Sequence, residues 1–196
     1  MNLPNTITLC RLVLTAVFVG GAALQSLTGH WIALVAFVIA AVSDWFDGYF
    51  ARKYALVTPL GRLLDPVADK VLVCAAFVYL SAQGRCPVWV TVLIVAREFL
   101  ITGLRQIAIE AGQVLSSDHL GKWKTGMQLG YCITCLVWFA VATLESGNPL
   151  LRLLYYLSKP DSWLMPGFLW LALALTVISG WNYMWANRAL LTGKRP

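Results

Sequence analysis

The sequence predicts an all-α polytopic membrane protein, a six-transmembrane-helix bundle with both termini in the cytoplasm. Three observations lead there. Only 12% of the 196 residues are charged and 59% are hydrophobic, with a mean hydropathy of +0.71; soluble domains carry about twice that charged share. The apolar residues come in runs of roughly 20, long enough to cross a bilayer. Lys and Arg also collect on alternate connections, as the positive-inside rule requires. The length suits one bundle with short loops, so residues 1–196 are expected to form a single membrane domain.

Six spans are expected at about 7–27, 30–51, 67–83, 87–109, 125–145 and 163–190. Turn signals separate them: "SLTGH", "TPLGR", "QGRCP", "EAGQVLSSDHLGK" and "ESGNP". Asn5, Thr6 and Arg11 precede or open the first span. No basic region comes before its apolar run, so this helix is expected to be retained rather than cleaved as a signal peptide. The second span starts beside Trp31 and ends among Asp44 and Asp47. The third is expected to open at Asp65-Pro66, an N-cap followed by proline at the first helical position. The fourth contains "VAREFLITGLR", and the fifth follows "GKWKT". The sixth is long, so its end emerges into water or bends near Gly180. Trp31, Trp89 and Trp163 at span ends suit an interfacial aromatic belt.

Sidedness follows from the basic residues. Arg11, Arg52, Lys53, Arg62, Lys70, Arg105, Lys122, Lys124, Arg188, Lys194 and Arg195 fall on the N-terminal side, with Arg85, Arg152 and Lys159 opposite. This distribution accounts for the net charge of +6 without a nucleic-acid partner. Cys10, Cys74, Cys86, Cys132 and Cys135 read as packing residues or free thiols, because the Cys132-xx-Cys135 pair has no second pair beside it.

Four of the nine acidic residues lie in one stretch, "DWFDGYFARKYALVTPLGRLLDPVADK". Asp44 and Asp47 are three apart at the end of the second span, and Asp65 and Asp69 are four apart at the start of the third. Each pair therefore shares a helix face. Carboxylates gathered this way repel one another and resist desolvation, a cost that hard divalent cations remove. Two such ions can bridge a diphosphate and stabilise charge on a leaving oxygen. Gly48, Ala51 and Gly61 leave room for close approach, and Arg52 can hold phosphate. The plainer alternative has the aspartates pairing with Arg52, Lys53, Arg62 and Lys70 in a solvated loop. That alternative gives no reason for small residues in register with the acids.

Asp44-xx-Asp47-Gly48-xx-Ala51-Arg52, then eight residues, then Gly61-xxx-Asp65-xxx-Asp69, resembles the signature of the CDP-alcohol phosphotransferase family without departure. The pattern fixes eight positions over 26 residues, and the six spans agree with the family over most of the chain. The resemblance implies a homodimeric six-helix bundle with a polar cavity open to the cytoplasm. It implies that Asp44, Asp47, Asp65 and Asp69 hold two divalent ions, Mg²⁺ or Mn²⁺, and that Asp69 is the general base. Asn5, Thr6, Gly48, Ala51, Arg52, Thr58, Pro59 and Gly61 would bind the CDP group. The alcohol would attack the lipid-linked phosphorus of a CDP-activated lipid, and CMP would leave.

"NLPNTITLCR" and "TPLGRLLDPVADKVL" resemble the bacterial phosphatidylglycerophosphate synthase branch. That resemblance implies CDP-diacylglycerol and sn-glycerol 3-phosphate as substrates, in the lipid bilayer of a bacterial inner membrane. Arg97 and Glu98 fall at membrane depth, where charge is expensive and a functional role is the default. With Arg105, Lys122 and Lys124, Arg97 is expected to form a pocket for the acceptor phosphate. Arg97 and Glu98 also suit a structural ion pair between helices. An inositol phosphate would suit the same pocket, so phosphatidylinositol-phosphate synthesis stays open as an alternative. A divalent-cation transporter is the alternative from another class, and it would need polar groups continuing across the membrane.

Overall fold

The computed structural model describes residues 3–54, 59–110, 119–144 and 148–188; side chains are described for residues 9–43, 68, 70–109, 120–144 and 148–188. The described residues form seven α-helices and no strand. They are α1 (Leu3–Ala23), α2 (Leu27–Tyr54), α3 (Pro59–Ala82), α4 (Val88–Glu110), α5 (His119–Val141), α6 (Pro149–Ser158) and α7 (Leu164–Ala186).

Six of these stand at the six expected positions, and each is long enough to cross a hydrocarbon core at 1.5 Å per residue. Among the described residues, α7 alone is both long and apolar enough to cross a membrane, with a hydropathy of 1.7. Shorter apolar helical stretches run over Leu9–Ala23, Leu27–Ser43 and Lys70–Ala82. Charged residues within α4 and α5 dilute their apolar windows.

Three local expectations change. The helix α6 was not foreseen. Its start is set by Pro149 at the first helical position and by Asn148, whose side chain accepts a hydrogen bond from the Leu150 amide at 2.9 Å. Asp65-Pro66 does not open the third helix, because α3 begins six residues earlier at Pro59. Proline suits that first position, and Leu60, Arg62, Leu63 and Leu64 are strong helix formers. Finally, α7 runs unbroken through Gly180. A Cβ there would lie 3.2 Å from Arg97 Cγ, so the missing side chain makes room for the stem of Arg97.

α1 and α2 form a tight hairpin, in which Gly21 and Gly29 let the two backbones touch. A Cβ on Gly29 would stand 2.5 Å from the Gly21 carbonyl oxygen. At the same end of the bundle, His30 stacks on Phe139, Arg85 lies over the Trp138 and Phe139 rings, and the Tyr131 hydroxyl donates to the Arg85 carbonyl at 2.8 Å. The central core joins Phe18, Phe37, Phe77, Leu80, Ile94, Tyr131, Leu136 and Leu169 from all six long helices. Cys86, Cys132 and Cys135 are buried within it. The opposite end collects the C-terminal parts of α2, α4 and α7 and the N-terminal parts of α3 and α5. That end carries the acidic signature.

Candidate functional site

The signature residues of the first half lie on continuous helix. Asp44, Asp47, Gly48 and Ala51 fall at positions i, i+3, i+4 and i+7 of α2, with Arg52 next to them. Such spacing makes a single stripe along one helix face. Gly61, Asp65 and Asp69 make a matching stripe at i, i+4 and i+8 of α3, whose first residue is Pro59. α2 and α3 contact each other. The side chains of these residues, like those of Asn5 and Thr6 in α1, lie outside the described side chains; Thr58 lies outside the described residues. The backbone thus sets both acidic stripes in helical register at one end of the bundle. Oxygen-only donors in this number have the chemistry that Mg²⁺ and Mn²⁺ prefer.

Beside α3 stands a compact charge cluster built around one carboxylate. Glu98 of α4 has a side chain only 3% exposed, and three cations surround it. Lys124 of α5, with a side chain 2% exposed, donates to Oε1. Arg97 Nη1 approaches the same oxygen at 3.5 Å, and Lys70 Nζ of α3 lies 3.3 Å from Oε2. Arg97 Nη2 also donates to Ser179 Oγ of α7 at 3.0 Å. One carboxylate therefore links four helices. Burying a charge at this depth is tolerable only with partners in place. Among the described side chains three cations face this one anion, a local surplus of positive charge.

The polar seam continues inward. Gln128, one turn beyond Lys124, donates from Nε2 to Thr176 Oγ1 at 3.3 Å. Both residues are buried, as is Ser179. Beyond Lys70, the buried face of α3 is apolar: Leu72, Val73, Ala76, Phe77 and Leu80. That face offers no polar continuation of the kind a cation path along α3 would need.

The four expected acceptor-phosphate residues thus separate into two sets. Arg97 and Lys124 are held by Glu98, while Arg105 and Lys122 are exposed. Arg105 follows Glu98 by seven residues, between the buried Leu104 and Ala108, and is itself exposed. Lys70, which the plainer alternative paired with the aspartates, contacts Glu98; the aspartate side chains lie outside those described. Sequence reasoning overlooked Gln128, Thr176 and Ser179. The signal was present: polar residues one helical turn apart in otherwise apolar runs, in line with Lys124 and Arg97.

The chain matches the CDP-alcohol phosphatidyltransferase family over residues 1–178. It is 38% identical over 200 residues to the CDP-diacylglycerol–glycerol-3-phosphate 3-phosphatidyltransferase of Bacillus subtilis, with 95% of each chain covered. The proteins of the same name from Rickettsia bellii and Cereibacter sphaeroides are 34% and 31% identical, over 93% of each chain.

Proposed function

The chain belongs to the CDP-alcohol phosphatidyltransferase family, and on that premise we propose that it transfers the phosphatidyl group of CDP-diacylglycerol to sn-glycerol 3-phosphate. The products are phosphatidylglycerophosphate and CMP, in phospholipid biosynthesis. The observation that carries this reading is the pair of acidic stripes on touching helices, beside a cluster with surplus positive charge. The first suits a nucleoside diphosphate with its metals, and the second suits an acceptor that brings its own phosphate. The relatives' shared name agrees with both.

In this reading Asp44, Asp47, Asp65 and Asp69 hold two divalent ions, Mg²⁺ or Mn²⁺, which when bound would supply positive charge to the diphosphate and the departing CMP. Asn5, Thr6, Gly48, Ala51, Arg52, Thr58, Pro59 and Gly61 seat the CDP group. The small residues admit it closely, and the Arg52 guanidinium binds phosphate oxygens. Asp69 takes the proton from the acceptor hydroxyl. The freed oxygen forms its bond to the lipid-linked phosphorus as the bond to the CMP oxygen breaks.

Arg97, Arg105, Lys122 and Lys124 provide the field for the acceptor phosphate. Arg105 and Lys122 meet it from the open side, and Arg97 and Lys124 act from within the Glu98 cluster. A neutral acceptor would leave that field uncompensated, at a desolvation cost that an anion removes. The six long helices span a bacterial inner membrane as part of a homodimer. Both termini and the acidic signature face the cytoplasm, where the water-soluble acceptor and CMP are exchanged.

The test is CMP release by purified protein from CDP-diacylglycerol, offered glycerol 3-phosphate, inositol phosphate or serine in turn, with Mg²⁺ and then Mn²⁺. Release with glycerol 3-phosphate supports the proposal. Release only with inositol phosphate or serine overturns the acceptor assignment.

A further inference from the structure

Lys70 is absent from the sites assigned above, yet it is the most open member of the Glu98 cluster. Its side chain is 31% exposed, against 16% for Arg97 and 2% for Lys124. The carboxylate is divided between its partners. Lys124 and Arg97 share Oε1 at the buried side, while Oε2 faces Lys70. One buried cation already neutralises Glu98, so the charge on Lys70 is not consumed by that contact. The contact fixes where the ammonium stands.

We propose that Lys70 binds the phosphate of the acceptor alcohol, and that Glu98 is the positioning residue that holds its ammonium in place. The inference rests on the phosphatidyl-transfer reading above and narrows the acceptor to alcohols bearing a phosphate monoester. Lys70 follows Asp69 directly in α3, so their Cα atoms are about 3.8 Å apart. Neighbouring side chains leave a helix about 100° apart, so an acceptor that reaches both residues carries its hydroxyl and its phosphate on different atoms of a short chain. A free lysine samples many rotamers, and fixing it on binding costs up to about 2 kcal/mol of side-chain entropy. Holding it beforehand through Glu98 removes much of that cost, and the surplus charge of the cluster waits for a dianion. Ser179, through Arg97, ties the same carboxylate to α7, so the lysine is referenced to three other helices.

The experiment uses the full chain, purified in a mild detergent, with the acceptor varied at saturating CDP-diacylglycerol. Lys70→Met should raise the acceptor KM by about ten-fold or more, the loss expected for one charge-assisted hydrogen bond. The KM for CDP-diacylglycerol should stay within two-fold, and Lys70→Arg should recover most of the loss. Glu98→Gln should raise the acceptor KM similarly. The double variant should be little worse than Glu98→Gln alone, because Lys70 depends on Glu98 for its placement. If Glu98→Gln fails to fold, the Lys70 pair alone decides. An acceptor KM unchanged in Lys70→Met, or additive losses in the double variant, would overturn the inference. If the wild type uses a different phosphorylated alcohol, the same comparison is made with that acceptor, so only the acceptor's identity changes. If it uses only unphosphorylated alcohols, both readings fall together.

Discussion

Glu98 of α4 and Lys70 of α3 meet at 3.3 Å, and through this contact the helix bearing Asp65 and Asp69 is joined to the helix bearing Arg105. Lys124 on the other carboxylate oxygen makes the same junction with α5. The helix that carries the second half of the acidic signature is thus tied to α4 and α5 through one buried carboxylate.

That frame has a stability consequence. Glu98→Ala leaves Lys124 and Arg97 without their anionic partner. Stripping one member from a buried ion pair typically costs about 3–5 kcal/mol. Thermal unfolding in detergent should show a clear fall in Tm for Glu98→Ala. Replacing Glu98 and Lys124 together by Leu and Met should unfold closer to wild type, because no unpaired charge is left between those two positions. A double variant less stable than Glu98→Ala would mean that the pair stabilises the fold beyond its own cancellation.

The glycines give graded expectations. Gly29→Ala places a methyl 2.5 Å from the Gly21 carbonyl oxygen, a backbone atom that cannot step aside. The α1–α2 hairpin should lose roughly 1–3 kcal/mol as the helices separate. At Gly180 the neighbour is the stem of Arg97, which is flexible. Gly180→Ala should be tolerated, whereas Gly180→Leu should push Arg97 away from Ser179 and weaken acceptor binding. Gly103 has nothing within 4 Å of a built Cβ, and as a mid-helix glycine its change to Ala should raise stability by up to about 1 kcal/mol. Tm values across the three positions check the order.

Much of this architecture is legible in the sequence, for identifiable reasons. Runs of apolar residues locate α1 to α5 and α7 because bilayer thickness sets one length scale. The acid spacing locates the signature because three- and four-residue steps are helix neighbours. The start of α3 was misplaced because Asp65-Pro66 imitates a helix start, while Pro59 offers the same cue earlier. The helix α6 escaped because ten residues are too few for any span criterion. Glu98 was not foreseen as a partner of Lys70 because it reaches the lysine only through helix packing. Arg97 and Glu98 stood out as charges at depth, but nothing local could assign the carboxylate to a lysine 26 positions onward.

Arg105 is exposed on the α4 face below Glu98, which suits direct contact with an incoming anion. Arg105→Ala should raise the KM for glycerol 3-phosphate by about ten-fold and leave kcat within a few-fold. Raising the salt concentration should weaken acceptor binding in the wild type more than in this variant, since screened surface charge is the term removed. Steady-state kinetics at two ionic strengths check both statements.

Divalent ions are the group that the four aspartates suit. Chelation should abolish turnover, and Mg²⁺ or Mn²⁺ added back should restore it. Asp44→Asn and Asp65→Asn should each raise the metal concentration needed for half-maximal rate, because each removes one anionic oxygen donor. Activity that survives exhaustive chelation would remove the metal assignment.

The most direct test identifies the lipid made from CDP-diacylglycerol and glycerol 3-phosphate by mass spectrometry, with wild type and Asp69→Asn assayed side by side. The wild type should yield phosphatidylglycerophosphate and CMP in equal amounts. Asp69→Asn, folded to the same Tm, should be slower by about 10²–10⁴-fold, the usual worth of a positioned base. Wild-type protein that makes no phosphatidylglycerophosphate, or an Asp69→Asn variant that makes it at the normal rate, would contradict the account.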